Sequence, residues 1–324
     1  TNNLKYKTMK KLLFHLEIKL SPSPKAKQKI PLLEWMQTLM GRSAQASQSA
    51  SLGTLKKHLE VFLAGEDNTG LLLADVDRDF CLRFVNYLNH ARNLRIRADR
   101  PPRPLAPNTR KRIFSLFAVS LQQAQKEGLV SSNPIEEMAR GERPRPIPTH
   151  RPYLSREELL MMIHCPNGPE DVRRAFLFSC LTGLRWSDIC SLKWNHFHRE
   201  GDNWFIVKRM VKTGGWFFNP IAGEARQLLL RQTGKADEYC FSLPSASAVN
   251  RDLKRWARAA GVEKNISFHT ARHTFATLLI TEGADIYTTS QLLGHTNVAT
   301  TQIYAKVVDR KKQQAISLIS GALK

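Results

Sequence analysis

Gly141-Glu142-Arg143-Pro144-Arg145-Pro146-Ile147-Pro148-Thr149-His150-Arg151-Pro152 interrupts the chain near its middle. Prolines at alternate positions lack the amide donor that a helix or ladder needs, and they hold the backbone in an extended, semi-rigid path. The stretch reads as a linker over residues 141–152. It divides 324 residues into two parts, each long enough for its own core.

Working back from the linker, the apolar spacing is helical. Leu32, Leu33, Trp35, Met36 and Leu39 form one stripe after Pro31. Leu55, Leu59, Phe62 and Leu63 form a second after Ser51, and Phe80, Phe84, Tyr87 and Leu88 a third from about Asp77. A fourth helix starts after Pro107-Asn108, carries Ile113, Leu116, Phe117, Ser120, Leu121 and Ala124, and stops at Gly128. Residues 31–140 are therefore expected to be an all-helical domain. Residues 1–30, with Pro22, Pro24, Lys25, Lys27 and Lys29, show no sustained period and read as a basic tether or the remnant of a further domain. The chain starts at Thr1 rather than Met, which suggests that an N-terminal piece has been removed.

Working forward, Ser155 with Glu157 and Glu158 signals a helix N-terminus. Helices are expected over 171–182, 184–192, 223–233, 246–260, 270–283, 285–293, 297–305 and 309–321. Trp204–Val207, Arg209–Val211 and Trp216–Phe218 read as short strands, the last two joined by the turn Lys212-Thr213-Gly214-Gly215. Residues 153–324 are thus expected to be a mixed, mostly helical domain with a small three-stranded antiparallel sheet. The fold class as a whole is mainly α.

The net charge is +21, with a pI near 10.1. Up to residue 150 there are 25 basic and 13 acidic residues, and after it 24 and 15. Both parts attract a polyanion, which fits a nucleic acid gripped by two domains better than one basic tail. Arg95, Arg97, Arg100 and Arg103 between the third and fourth helices, Arg110, Lys111 and Arg112 at the start of the fourth, and Arg143 and Arg145 in the linker are the candidate DNA-binding residues. Such clusters are usually solvated surface, but their recurrence on one side of a helical domain in a very basic chain favours phosphate contacts. No stretch reaches the roughly 18 apolar residues of a membrane span. His15, Glu17 and Lys19 break the short apolar run near the N-terminus that resembles a signal peptide, so a cytoplasmic location is expected, and five cysteines without a Cys-x-x-Cys pair suggest reduced thiols and no structural metal.

In the second part Arg185, Lys212, His269, Arg272, His295 and Tyr304 follow one another. Five are cationic or can donate to a phosphate, and the sixth is a phenol. Such a set suits attack by a tyrosine on a phosphodiester while its neighbours neutralise the charge growing on phosphorus. Free tyrosine is only about 0.1% ionised at pH 7, so it needs a cationic site or a base. Arg185, set among apolar residues after Gly183, must meet an anion or pair with Asp188, one turn on. Lys212 either swings into a cleft or is a solvated turn lysine. His269 and Arg272, three apart, share one helix face. His273 is offset by one position and reads as a buried structural donor. His295 follows a helix ending in Leu292-Leu293-Gly294. No His-Glu-x-x-His zinc motif is present.

Thr182-Gly183-Leu184-Arg185, Lys212-Thr213, His269-x-x-Arg272-His273, Leu293-Gly294-His295 and Thr301-Gln302-Ile303-Tyr304 together resemble the boxes of the tyrosine recombinase (phage integrase) family. The likeness is strong over about 150–310 and weaker over about 30–140, which is similar to that family's core-binding domain. Phe176-Leu177-Phe178-Ser179-Cys180, Asp285-Ile286-Tyr287-Thr288 and Ile303-Tyr304-Ala305-Lys306 resemble integrases of Bacteroides-type elements. Ala271 before the second arginine and Asn219-Pro220-Ile221 depart from the family's commoner wording. The resemblance implies a site-specific recombinase that integrates or excises a mobile element. Tyr304 would form a 3'-phosphotyrosine, Arg185 and Arg272 would hold the non-bridging oxygens, and His295 would add a donor. Lys212 would protonate the leaving 5'-oxygen, His269 would accept the tyrosine proton, and Asp188 would orient Arg185. It implies no cofactor, metal or ATP. The expected partner is double-stranded DNA, bound as a homotetramer assembled from monomers, with the helix over 309–321 docked on a neighbour or folded on its own domain. A DNA-bending accessory protein and nucleoid association are further expectations. A Xer-like resolvase, a type IB topoisomerase and an inactive DNA-binding regulator stand as alternatives.

Overall fold

The computed structural model describes residues 29–96, 99, 101–149, 151–229, 235–295 and 297–304. Arg97, Arg100, the segment before residue 29 and the helix expected over 309–321 lie outside the described residues. The chain divides between Thr149 and His150 into two compact units.

In the first unit α1 (Leu32–Gly41), α2 (Ala46–Gly65), α3 (Arg78–His90) and α4 (Pro107–Lys126) surround a core. Leu32, Trp35 and Met36 of α1 meet Leu55, Leu59 and Leu63 of α2, Phe80, Phe84 and Leu88 of α3, and Phe117 and Leu121 of α4, all buried. Each such side chain contributes roughly 1.5–3 kcal/mol of transfer free energy. Trp35 keeps its one donor satisfied by bonding the Ser120 carbonyl at 3.0 Å. Asp77 caps α3 by accepting from Phe80 N, and Pro107 opens α4 at a position where no amide is needed. Gly128, at φ +73°, ends α4. α2 begins at Ala46, five residues before Ser51. Its first turn, Ala46-Ser47-Gln48-Ser49, is polar and carries no apolar stripe to announce it.

The second unit packs its helices and a small sheet around a core of its own. α5 (Arg156–His164) opens with Ser155 and Glu158 in a reciprocal capping box. α6 (Glu170–Thr182) buries Val172, Ala175, Phe176, Phe178 and Cys180. Short α7 (Trp186–Cys190) follows. The sheet has the order β1 (Phe197–Glu200), β2 (Asn203–Arg209), β3 (Trp216–Ile221), antiparallel throughout. Next come α8 (Gly223–Gln227), α9 (Ala246–Ala259), α10 (Phe268–Thr281) and α11 (Ile286–Leu292). α6 packs along α10, which buries Phe268, Ala271, Ala276 and Ile280.

The expected three-stranded antiparallel sheet is present, but two of its strands are drawn differently. Trp204–Val207 and Arg209 lie on one strand, β2, and Met210 and Val211 already belong to the loop before β3. The additional strand is Phe197–Glu200, whose residues show one apolar side chain in four and are ordered by pairing with β2, as in Phe197 opposite Ile206. The helix expected over 297–305 is a pair of 3-10 turns, Val298–Thr300 and the residues up to Tyr304. Among the described residues no helix is long and apolar enough to cross a membrane, and all five cysteines are unpaired.

Candidate active site

α6 ends at Gly183, whose φ of +70° only glycine adopts without strain. A Cβ there would lie 2.6 Å from Cδ1 of Phe275, so the missing side chain also lets the turn press onto α10. This turn delivers Arg185 as the N-cap residue of α7. Arg185 is half-buried and its Nη1 has no hydrogen-bond partner among the described residues. Burial pulls its pKa down, against the opposing pull of Asp188 and Tyr304.

Asp188 is fully buried but forms no ion pair with Arg185 among the described residues. Its Oδ1 accepts the Val211 amide at 2.8 Å, while Oδ2 is buried without a partner. That bond ties α7 to the β2–β3 loop. The loop closes through Met210 N to Gly215 O and Gly214 N to Met210 O, both 2.9 Å, and exposes Lys212 next to Val211. The Lys212 charge reaches His269.

Lys208, which sequence reading passed over, is 3% exposed. Its Nζ donates to the Asp188 carbonyl at 2.8 Å and to Ser191 Oγ at 2.7 Å, clamping the C-terminal end of α7 to β2. The alternation of β2 held the signal, because Lys208 falls on the same face as buried Ile206.

Arg272 is 2% exposed on α10. It donates from Nη1 to the Gly183 carbonyl and from Nη2 to the Leu293 carbonyl, both at 2.6 Å, so it holds the α6–α7 turn and the end of α11 together. Burial, reinforced by repulsion from Arg185, pushes its pKa down to about 9. A guanidinium has five donors, and these two bonds leave others for an anion.

His295 follows Gly294 (φ +60°) and shares a 2.8 Å hydrogen bond through Nδ1 with Thr301 Oγ1. Tyr304 is 6% exposed. Its hydroxyl lies 2.6 Å from Nδ1 of His273, the residue read from sequence as a structural donor. His269, exposed one turn earlier on α10, stands edge-on to the His273 ring at 4.5 Å between centroids. Burial and the surrounding cations push His273 down to about 3 and His295 to about 4. Burial raises the Tyr304 phenol, while Arg272, Arg151 and Arg185 pull it back. Arg151, a linker residue in sequence, thus acts electrostatically on this site.

A tyrosine hydroxyl, two arginines with free donors, three imidazoles and a lysine on a nearby loop can accommodate a phosphodiester and a nucleophilic attack on it. The phage integrase family model matches residues 152–311, and the phage integrase SAM-like domain matches 31–140. The tyrosine recombinase XerA of Thermococcus kodakarensis is 34% identical over 205 residues, spanning 57% of this chain and 70% of that protein. A tyrosine recombinase of Thermosipho africanus is 29% identical over 197 residues, spanning 58% and 68%. The chain belongs to the tyrosine recombinase family. This recombinase also shares the fold of a lambda integrase dimer bound to a COC' core site, with a TM-score of 0.66 at 17% identity over 93% of this chain and 87% of that one. As a member of the family it is an enzyme of site-specific DNA recombination.

In the recombinase's first unit, Arg95 donates to Thr54 Oγ1 at 3.0 Å and Arg112 to Ser51 Oγ at 2.6 Å. Both border a hollow of about 330 Å³ between α2 and α4 that has no acidic side chain in its lining. Arg103, Lys111 and Arg145 are exposed. Arg110 bonds the Leu105 carbonyl and Asn89, and Arg143 bonds the Ile135 and Met138 carbonyls through Nη2, so each is partly engaged within this unit and keeps other donors.

Proposed function

We propose that this recombinase cuts DNA through Tyr304, forming a 3'-phosphotyrosine and a free 5'-hydroxyl, and rejoins strands by the reverse step. The observation that carries the reading is a buried phenol hydrogen-bonded to a neutral imidazole in the field of Arg185 and Arg272. The orphaned Nη1 of Arg185 is a buried donor that a non-bridging phosphate oxygen would satisfy. Arg272 contributes its remaining donors to the same phosphate, preformed by its two carbonyl bonds. His295 adds a third donor. Lys212 gives a proton to the departing 5'-oxygen, and Asp188 sets the loop that carries it. The tyrosine proton passes to an imidazole of α10. The phosphotyrosine conserves the energy of the broken bond, so resealing draws on no ATP.

Double-stranded DNA is the substrate, held by Arg95, Arg103, Lys111 and Arg112 in the first unit and by the phosphate site in the second. Strand exchange needs four such sites, hence a tetramer on DNA, with the segment after Tyr304 docking on a neighbour. The wording of the sequence around Phe176, Asp285 and Tyr304 favours integration or excision of a Bacteroides-type mobile element. A Xer-like resolvase is the second reading, in line with the likeness to the tyrosine recombinase XerA. A suicide duplex that traps the covalent adduct tests the core of the reading. Tyr304→Phe is expected to abolish the adduct, and Arg185→Ala or Arg272→Ala to slow it on the order of 10² to 10³ or more, with DNA binding retained. An adduct formed by Tyr304→Phe would refute the nucleophile.

A further inference from the structure

His273 is the side chain in contact with the reacting hydroxyl. Its Nδ1 is 2.6 Å from Tyr304 Oη, its ring is 4% exposed, and α10 fixes it beside Arg272. We infer that His273 Nδ1, and not His269, takes the phenolic proton as Tyr304 attacks phosphorus. This assignment rests on Tyr304 being the nucleophile.

The proton accounting is closed. The O–H bond breaks and leaves its electron pair on Oη, the proton moves to Nδ1, and Oη bonds to phosphorus. The bond from phosphorus to O5' breaks, and O5' takes its proton from Lys212. His273 keeps its proton as imidazolium and returns it to Oη in the reverse step.

Three observations converge on this role. A phenol O–H is a better donor than a neutral imidazole N–H, and an imidazole nitrogen a better acceptor than a phenol oxygen, so the short contact runs from Oη to Nδ1. The groups whose charges act on His273 and Tyr304 are His269 and Arg272 on α10, Arg151 before α5, and Arg185 at α7, with no carboxylate among them. Burial and these neighbours keep the imidazole neutral in the absence of DNA, with its Nδ1 lone pair turned to the phenol. A phosphodiester seated between Arg185 and Arg272 brings the missing negative charge and strengthens the base. The tyrosine therefore stays protonated until its substrate arrives. His269 stands edge-on to the His273 ring, while the hydroxyl itself is hydrogen-bonded to His273 Nδ1.

The test compares His273→Asn, His269→Asn and Tyr304→Phe for adduct formation on a suicide duplex, from about pH 6 to about pH 9. A second duplex carries a 5'-bridging phosphorothiolate, whose sulfur leaves without the help of Lys212. His273→Asn should slow adduct formation on the order of 10² to 10⁴ on both duplexes, with a rate that rises about tenfold per pH unit, while His269→Asn loses less than about tenfold. A His273→Asn protein within about threefold of the unmodified one, or a larger loss from His269→Asn, overturns the assignment. If the substitution disturbs folding, nitrogen NMR of the histidines in the unmodified protein and in Tyr304→Phe decides independently. An unprotonated Nδ1 whose resonance moves when the hydroxyl is removed supports the role. A protonated Nδ1, or an unmoved resonance, overturns it. A dead Tyr304→Phe beside a fully active His273→Asn removes only this inference, whereas an active Tyr304→Phe removes the nucleophile itself.

Discussion

Gly183→Ala should be among the most damaging small substitutions in the second unit. Residue 183 sits at φ +70°, where a side chain costs about 1–2 kcal/mol. The new Cβ would also meet Cδ1 and Cε1 of Phe275 at 2.6 and 2.8 Å and Cδ2 of Leu293 at 3.1 Å. Relief requires the ring to turn or α10 to retreat, an overpacking cost of about 1–3 kcal/mol. The sum is roughly 2–5 kcal/mol, or a fall in urea midpoint of roughly 1 M or more. Gly214→Ala supplies the control, since its φ is +68° but a Cβ there meets nothing within 4 Å. It should cost only the conformational part. Five of the six tryptophans (Trp186, Trp194, Trp204, Trp216 and Trp256) lie in the second unit, so their fluorescence follows the transition that matters. Cleavage should fall further than stability accounts for, because the Gly183 carbonyl holds Arg272. A Phe275→Ala background should shrink the penalty in a double-mutant cycle. Equal losses for Gly183→Ala and Gly214→Ala, or no coupling to Phe275, would refute the close approach as the cause.

Three further outcomes are expected. Asp188→Ala removes the acceptor for Val211 N and frees the Lys212 loop, so adduct formation should slow, and a 5'-bridging phosphorothiolate should restore much of the rate; slowing that the sulfur leaves untouched would place the defect elsewhere. The buried His273, with a pKa near 3 against a free value near 6.5, binds its proton more weakly folded than unfolded. The unfolded chain therefore takes up more protons below about pH 6.5, and stability, complete above that pH, should decline as acid approaches pH 3. Denaturant midpoints between pH 7 and pH 4 check this, and His273→Asn should flatten the decline. Finally, Arg95→Gln and Arg112→Gln should each weaken duplex binding across sequences and reduce the slope of log K against log salt by about one; an unchanged slope would exclude a phosphate contact.

How far the sequence could be read depended on whether a signal was local. Pro107, Asp77 and Ser155 announce helix starts through chemistry confined to one turn, and the alternating prolines of 141–152 exclude regular structure on their own. Phe197–Glu200 could not be seen this way, since one apolar residue in four carries no period and pairing with β2 alone makes it a strand. The functional groups divide likewise. Arg185, Arg272 and Tyr304 stand in boxes whose neighbours are diagnostic, but nothing in the sequence says that Arg272 spends two donors on carbonyls from two other segments. His273 shows the limit most sharply. One position off the face shared by His269 and Arg272, it looked structural, because helical spacing describes a single helix, and the phenol that it meets arrives from 31 residues further along. Lys208 was hidden for another reason. It falls between the expected strands Trp204–Val207 and Arg209–Val211, and only the continuity of β2, the parity with Ile206 and two acceptors on α7 and just beyond it turn it inward. Residue identity thus announced a phosphate chemistry, while the division of labour within it, above all which imidazole meets the phenol, is a property of the packing of α10 against the segment that carries Tyr304.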